Sequence, residues 1–349
     1  MQTSDSAARA RAIAALGETA FLLERAHAQT QRTQAFRRAQ AVIAALPVAE
    51  FTARLAAGTL QELPGIGKTT GELIRVAARG EQPEYLVNAR SVAGPDPGAG
   101  EAIVRALRGD LHAHSDCSDG GSPIVEMAET ALALGHEYLA LTDHSPRLTV
   151  AHGLTRERLE RQLAVVAELN QRWDDFRILT GIEVDILDDG SLDQDQDLLE
   201  SLDVVVASVH SKLRMPSREM TPRMVEAIAN PATTVLGHCT GRMTSGRGDR
   251  RRVRPPSEFE ADVVFEACRQ FGVAVEINCR PERRDPPLAL LALALEIGCD
   301  FSIDTDAHAP GQLAWLPFGA ARAAEVGVPV ERIINTRPAD ALSAEAAGD

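Results

Sequence analysis

The sequence predicts an α/β fold in which parallel strands close into a barrel, preceded in the chain by a small all-α domain. Seven short apolar runs in the last two thirds of the 349-residue chain each stop at His, Glu, Asp or Asn side chains. Amphipathic stretches of helical length lie between most of these runs, which favours parallel strands joined by crossover helices. In a closed α/β barrel the functional groups lie where the strands end. The runs occupy residues 105–114, 137–144, 177–185, 203–210, 233–239, 273–278 and 300–308.

Histidines and carboxylates are concentrated at the ends of these predicted strands. Six of the nine histidines fall there, and three acidic residues accompany them. Imidazole and carboxylate groups suit Zn, Mn or Fe ions, and the set is larger than one tetrahedral ion requires. We therefore expect a site for two or three divalent metal ions. The residues are His112, His114, Asp119, His144, Glu183, His210, His238, Asp306 and His308, whereas His27, His136 and His152 lie off the pattern and are not expected to bind metal.

Six short motifs in this part of the chain resemble the PHP (polymerase and histidinol phosphatase) family. They lie at residues 112–120, 142–144, 181–183, 208–210, 237–242 and 305–308, and the resemblance runs from about Asp110 to the end of the chain. It implies a distorted (β/α)7 TIM-like barrel, the PHP fold, with a trinuclear metal centre whose nine ligands are the nine residues above. Every one of these positions holds a side chain that is able to bind a metal, which favours an active enzyme.

Composition indicates a cytoplasmic protein in two parts. The longest uncharged apolar stretch, residues 288–295, is much shorter than the roughly 20 residues that a membrane span requires. The N-terminus has no signal-type hydrophobic segment. Five cysteines without a CxxC pair suit a reducing compartment. We therefore expect a cytoplasmic location and no membrane partner.

Charge is shared unevenly along the chain. Residues 1–90 contain eleven basic and eight acidic residues, and the remainder contains 25 basic and 42 acidic residues. The acidic part is not a general nucleic-acid surface. Any DNA contact should therefore come from residues 1–90 and should be local and salt-sensitive.

Residues 60–77 resemble a helix-hairpin-helix. Pro64 ends one helix, Gly65 and Gly67 permit a tight turn, and Thr69 or Thr70 can begin the next helix. Such a turn holds a nucleic-acid phosphate without reading bases, so Gly65, Gly67 and Lys68 are the candidate nucleic-acid-binding residues. The alternative is that the glycines merely close a helical hairpin.

Residues 13–80 together resemble the small N-terminal DNA-binding domain of family-X DNA polymerases. We therefore predict a helix-hairpin-helix domain over residues 1–90, a Gly/Pro-rich linker over 91–104 and the barrel over 105–349. No room remains between hairpin and barrel for a polymerase palm, so polymerase activity is not expected. Abasic-site lyase activity is not expected either, because Lys68 in the hairpin is the only lysine of the N-terminal segment.

Phosphoester hydrolysis is the reaction that best uses several cations held together, since they lower the pKa of a shared water and clamp phosphate oxygens. Asp143 is the candidate for orienting a ligand or accepting a proton. Arg242, at the end of the motif 237–242, is a candidate catalytic and phosphate-binding residue, and the Arg-dense loop 243–256 could steer a polyanion. Further phosphate-binding candidates are Lys212, Arg280 and Arg283. Residues 278–285 resemble an Asn-x-x-Pro-x-Arg-x-Asp run of the family, with Arg280 and Arg284 as departures.

Three functions are compatible with these features. The favoured one is a DNA-repair phosphoesterase, a 3'-to-5' exonuclease or 3'-phosphatase, in which residues 1–90 deliver DNA or another nucleic acid to the barrel. The alternatives are a small-molecule phosphatase, acting on histidinol phosphate or a nucleotide, and a metal-stabilised nucleic-acid-binding module without turnover. Metal identity, DNA against RNA and the oligomeric state stay open.

Overall fold

A computed structural model describes residues 2–92, 94–245 and 252–346. The chain divides into two compact units, Met1–Gly94 and Pro95–Asp349. The first unit is helical, and the second contains every strand that the described residues form. The predicted fold class, a barrel preceded in the chain by a helical domain, is confirmed.

The N-terminal unit packs its helices around an aliphatic and aromatic core. Apolar residues at helical spacing place Leu16, Phe36, Ile43, Phe51 and Ile74 in that core, each at most 2% exposed. The five helices are α1 (Gln2–Arg25), α2 (Thr30–Ala45), α3 (Val48–Ala57), α4 (Lys68–Ala78) and α5 (Glu84–Arg90).

The hairpin lies between α3 and α4. Helix α3 ends at Gly58, whose φ of 72° is the left-handed conformation that glycine adopts most easily. Gly65 also has a positive φ, 93°. The backbone N–H of Gly67 donates to the hydroxyl of Thr70 over 2.9 Å, which satisfies an amide at the start of α4. Helix α4 begins at Lys68, one or two residues before the predicted start at Thr69 or Thr70.

Seven parallel strands form the barrel of the second unit, and each predicted run contains one of them. Adjacent strands follow one another in chain order around the sheet, as consecutive strand–helix units do. The strands, in sheet order, are β1 (Gly109–Ala113), β2 (Tyr138–Leu141), β3 (Arg177–Asp185), β4 (Val204–Ser208), β5 (Val235–Leu236), β8 (Ala274–Asn278) and β9 (Phe301–Asp304).

The barrel is nearly closed, because its first and last strands meet at their ends. Ala113 and Ala307 form a parallel bridge, and the backbone N–H of His114 donates to the carbonyl of Ala307 over 2.8 Å. The carboxyl ends of the strands consequently share one mouth, where the predicted metal ligands lie. At the other end Tyr138, Leu179 and Leu342 belong to one buried cluster.

Helices surround the sheet, and a short antiparallel pair, β6 (Met243–Ser245) and β7 (Arg252–Arg254), follows β5. Part of the predicted Arg-dense loop, with Arg247, Arg250 and Arg251, lies outside the described residues. The helices are α6 (Glu101–Ala106), α7 (Ile124–Ala133), α8 (Arg156–Leu169), α9 (Gln196–Leu199), α10 (Ser217–Ile228), α11 (Ala261–Phe271), α12 (Leu288–Ile297), α13 (Leu316–Val326) and α14 (Ala339–Ala346).

No single helix within the described ranges is long and apolar enough to cross a membrane. Helices α2 and α3 reach that length and hydropathy only as a pair, and the pair is bent by 118°.

Candidate metal centre

The carboxylate of Glu183, at the end of β3, lies at the centre of the predicted ligand set. Its Oε2 atom is 3.4 Å from His112 Nε2, 3.6 Å from His114 Nε2 and 2.9 Å from His144 Nδ1. Its Oε1 atom is 3.2 Å from His210 Nε2 and 2.8 Å from His238 Nε2. One buried carboxylate thus faces five imidazoles that come from four other strand ends.

Two more carboxylates extend this set towards β9 and the loop after β1. Asp119 Oδ1 is 3.5 Å from His144 Nε2 and 3.4 Å from His308 Nε2. Asp306 Oδ1 is 3.4 Å from His114 Nε2. All nine predicted residues are therefore brought together at the mouth of the barrel.

Donor atoms of seven of the nine residues fall into three overlapping groups, and within each group these atoms lie within 4.8 Å of one another. Three residues, His114, His144 and Glu183, are each shared by two of the groups. This overlap suits ions that lie a few ångströms apart and share ligands. The groups are His114 with Asp119, His144 and His308; His112 with His114 and Glu183; and His144 with Glu183 and His210.

The cluster fits cations because its buried polar atoms have nothing else to bind. Burying such atoms without a partner is costly, and a cluster of them requires an explanation. They approach one another closely without hydrogen-bond geometry, as atoms directed at a common point do. Among the described residues, the cluster atoms without a hydrogen-bond partner are both carboxylate oxygens of Glu183, both ring nitrogens of His114 and His238, and His112 Nε2, His144 Nδ1 and His210 Nε2.

Three of the nine residues have protonation states that suit cations. Burial would raise the pKa of Glu183, but the imidazoles of His210 and His112 hold it well below its usual range. Burial would also raise the pKa of Asp306, but the guanidinium groups of Arg280 and Arg283, together with the imidazole of His114, hold it well below its usual range. Burial lowers the pKa of His114 well below its usual range, and the neighbouring imidazole of His308 adds to this shift. Ionised carboxylates and a neutral imidazole are the forms that bind metal.

Two buried acidic residues that were not predicted as site residues contact the Nδ1 atoms of cluster imidazoles. Glu276 Oε1 lies 2.6 Å from His112 Nδ1, and the other oxygen of Glu276 accepts the backbone N–H of His238. The carboxylate of Asp185 contacts His210 Nδ1. Side chains alternate along a strand, so residues two positions apart lie on the same face of the sheet. Asp185 and Glu276 are each two positions from a predicted strand-end residue, and this spacing could have identified them from the sequence.

Two of the predicted phosphate-binding arginines lie against the cluster. Arg280 Nη1 is 3.3 Å from Asp306 Oδ1 and 3.0 Å from His308 Nδ1. Arg283 Nε is 3.0 Å from Asp306 Oδ2. The Arg283 side chain is buried, and its Nη1 atom has no hydrogen-bond partner within the described ranges.

Asp143 lies beneath the loop that follows β1. Its carboxylate accepts hydrogen bonds from the backbone N–H of Ser115 over 2.9 Å and from the hydroxyl of Ser115 over 2.6 Å. Ser118 and Gln162 donate to it as well. Four donors occupy this carboxylate, so its geometry suits positioning of the loop that carries Asp119 and not proton transfer to a substrate.

The remaining predicted residues lie elsewhere. Lys212 is exposed, and its ammonium pairs with Asp188 over 2.6 Å instead of with the cluster. Arg242 lines a separate cavity beside Asn278. Gly65, Gly67 and Lys68 lie exposed in the hairpin of the N-terminal unit.

Known protein families match both units of the chain. The PHP domain family matches residues 110–280. A helix-hairpin-helix domain family matches residues 7–80.

Several curated and solved proteins are similar to this chain. The DNA polymerase/3'-5' exonuclease PolX of Bacillus subtilis is 38% identical over 231 residues, which cover 66% of this chain but only 39% of that protein. A probable phosphatase of Caldanaerobacter subterraneus is 26% identical over 65% of this chain and 86% of its own length. A crystal structure of histidinol phosphate phosphatase from Lactococcus lactis, complexed with zinc, L-histidinol and phosphate, superposes with a TM-score of 0.45 at 18% identity, covering 63% of this chain and 94% of that one.

Proposed function

Because a match to the PHP domain family follows a match to a helix-hairpin-helix domain family along this chain, we propose that it is a metal-dependent phosphoesterase that hydrolyses phosphate esters at nucleic-acid ends. In this proposal residues 1–90 bind the nucleic acid, residues 91–104 are the linker and residues 105–349 are the catalytic domain. No polymerase activity is included, since only the linker separates the two domains.

One observation carries the proposal: nine ligand-competent side chains converge at the mouth of the barrel beside a buried arginine, and the buried donor atoms of six of them have no hydrogen-bond partner within the described ranges. Glu183 and the imidazoles around it would hold two or three divalent ions, such as Mn, Zn or Fe. When bound, such ions generate a nucleophile from water at neutral pH and stabilise the oxygens of an in-line displacement at phosphorus.

The chain's own residues supply the rest of the site. The free Nη1 of buried Arg283 is a donor for a non-bridging phosphate oxygen, and Arg280 adds positive charge beside Asp306. Glu276 and Asp185 orient His112 and His210 through their Nδ1 atoms, which leaves the Nε2 atoms for the ions.

The N-terminal unit supports nucleic acid as the substrate class. Its hairpin exposes Gly65, Gly67 and Lys68 at the start of α4, where the first amides of a helix have no intrahelical acceptor. A phosphate is a suitable ligand for such a helix start. Similarity to PolX, a 3'-5' exonuclease by name, supports action at a 3' end.

A substrate panel tests the proposal. The full chain, supplied with Mn²⁺, is incubated with oligonucleotides that end in a 3'-hydroxyl or a 3'-phosphate, and with histidinol phosphate. We expect hydrolysis at the oligonucleotide ends, reduced by roughly 100-fold or more in Glu183→Gln, because that carboxylate belongs to two of the three donor groups. Hydrolysis of histidinol phosphate alone would contradict the nucleic-acid assignment, and inactivity on all three would favour a binding module without turnover.

A small-molecule phosphatase is the second candidate. It is favoured by the probable phosphatase of Caldanaerobacter subterraneus, 86% of which this chain covers. The same panel separates the two, because a small-molecule phosphatase should hydrolyse histidinol phosphate and leave both oligonucleotide ends intact.

A further inference from the structure

A cavity of about 460 Å³ lies next to the proposed metal centre but contains none of its nine residues. Asn278 connects the two sites. Asn278 borders the cavity, and its Nδ2 atom donates to Glu276 and to Asp306, each over 3.2 Å. Asn278 therefore contacts the cluster and also lines the cavity, which lies among the loops that follow β5 and β8.

Three arginines, Arg242, Arg284 and Arg322, line this cavity with one acidic residue, Glu325. Arg322 is tied to the protein, since its guanidinium donates to the carbonyls of Asp285, over 3.2 Å, and of Pro286. The guanidinium groups of Arg242 and Arg284 have no hydrogen-bond acceptor among the residues that the structure describes. Like charges facing one cavity repel each other, so an anion bound between them would be stabilised.

The arginine at position 284 is held in an unusual backbone conformation. Its φ of 49° lies in the left-handed region, which a glycine adopts with less strain. The position nevertheless presents a long cationic side chain at the cavity.

The lining of the cavity also has apolar residues. They include Phe318 and Leu288. A volume in the range of small-molecule pockets exceeds what a lone phosphate needs and suits a phosphate joined to a flat ring system. Aromatic side chains stack on nucleic-acid bases of any sequence, and arginines bind the backbone beside them.

We propose that this arginine pocket, lined by Arg242, Arg284, Arg322 and Phe318, binds the nucleotide next to the one whose phosphate ester lies at the metal centre. Arg242 and Arg284 bind its phosphate, and the base lies against Phe318. Arg322 positions the loop through the carbonyls of Asp285 and Pro286. The inference rests on the proposed function for its choice of a nucleotide as ligand, and it makes that function specific for strands longer than one nucleotide.

Equilibrium binding tests the pocket independently of turnover. The full chain, purified with its metals, is titrated calorimetrically with a hydrolysis-resistant phosphorothioate dinucleotide of thymidine that carries a 5'-phosphate. Arg284→Gln removes an exposed guanidinium and should raise the Kd about tenfold, the effect of one lost charge-assisted hydrogen bond. Arg218→Gln is the matched control, because Arg218 is an 83% exposed arginine of the same unit that does not line the cavity, and it should leave the Kd unchanged.

A second variant tests the apolar part of the lining. Phe318→Ala should raise the Kd of the dinucleotide about tenfold or more through lost stacking, while the Kd of inorganic phosphate stays the same. Circular dichroism confirms the fold of each variant.

The outcomes separate the pocket from the proposed function. A wild-type Kd in Arg284→Gln, or no measurable binding of the dinucleotide by the wild-type chain, overturns the pocket even if oligonucleotide ends are hydrolysed. A raised Kd in Arg284→Gln together with inactivity on oligonucleotides upholds the pocket and overturns the proposed function.

Discussion

Glu276 Oε1 lies 2.6 Å from His112 Nδ1, and both side chains are fully buried. A carboxylate in this place accepts the Nδ1 proton and leaves the Nε2 lone pair directed at Glu183 and the cluster. Because the second oxygen of Glu276 accepts the backbone N–H of His238, one side chain orients two of the nine residues.

Glu276→Gln should weaken metal binding without removing a proposed ligand. Glutamine keeps the shape but loses the charge and one of the two acceptor oxygens. We expect the affinity for Mn²⁺ or Zn²⁺ to fall about 10–100-fold, measured as metal retained against increasing chelator concentration. Glu266→Gln, an exposed glutamate of α11 that pairs with Arg269, is the matched control. Equal retention in the two variants would show that Glu276 does not tune the site.

Metal removal should destabilise the barrel unit. The buried donor atoms around Glu183 lose their only proposed partners, and an ion that binds only the folded state at 100 times its Kd contributes about 2.7 kcal/mol. For a unit of this size the melting temperature should fall by roughly 5–10 °C in chelator. Differential scanning calorimetry with chelator, and again after addition of Mn²⁺, measures the loss and its recovery. An unchanged melting temperature would argue against resident ions.

The positions of the cluster residues were predictable because each one follows a strand whose apolar stem is visible in the sequence. Residues such as His112, Glu183 and His238 then meet simply because parallel strands end at one mouth. Glu276 lies two positions before Asn278, but the role of a carboxylate inside a buried strand becomes visible only when its partner, His112 of β1, is known. The place of Arg242 could not be predicted for the same reason: the cavity that it lines is completed by Phe318 and Arg322 of α13, far away in the chain.

Asp143→Asn should destabilise the loop that carries Asp119. All four groups around the Asp143 carboxylate are donors, so an amide NH₂ in place of one oxygen faces a donor and leaves it unsatisfied. The free energy of unfolding should fall by about 1–3 kcal/mol, measured by urea denaturation. Asp116→Asn, an exposed carboxylate of the same loop, is the control and should change it little. An unchanged free energy of unfolding in Asp143→Asn would contradict the positioning role.

Protonation of Asp110 should make the free energy of unfolding depend on pH. Burial and the neighbouring Asp304 raise the pKa of Asp110 from its ordinary 3.8 to about 8. Between these values the folded chain holds a proton that the unfolded chain releases, so the stability from this group is full below about pH 4 and is lost as pH rises towards 8. In chelator, the wild-type free energy of unfolding should fall from pH 5 to pH 8 relative to Asp110→Asn, by up to about 1.4 kcal/mol per pH unit. Urea denaturation at the two pH values measures this. Parallel pH profiles for the two proteins would show that Asp110 is ionised in the fold.

Lys68→Gln should weaken DNA binding by the hairpin equally for all sequences. Lys68 is the exposed first residue of α4, next to Gly67, so its ammonium and the free amides of the helix start can share one phosphate. Loss of one phosphate contact should lower the slope of log K against log salt concentration by about 1. Fluorescence anisotropy of a labelled oligonucleotide over a series of KCl concentrations measures this slope. Arg75→Gln, an exposed cation of the same helix that already pairs with Glu72, should leave it unchanged. Since both variants remove one positive charge from α4, equal slopes would mean that the hairpin only joins two helices and that DNA reaches the barrel by another route.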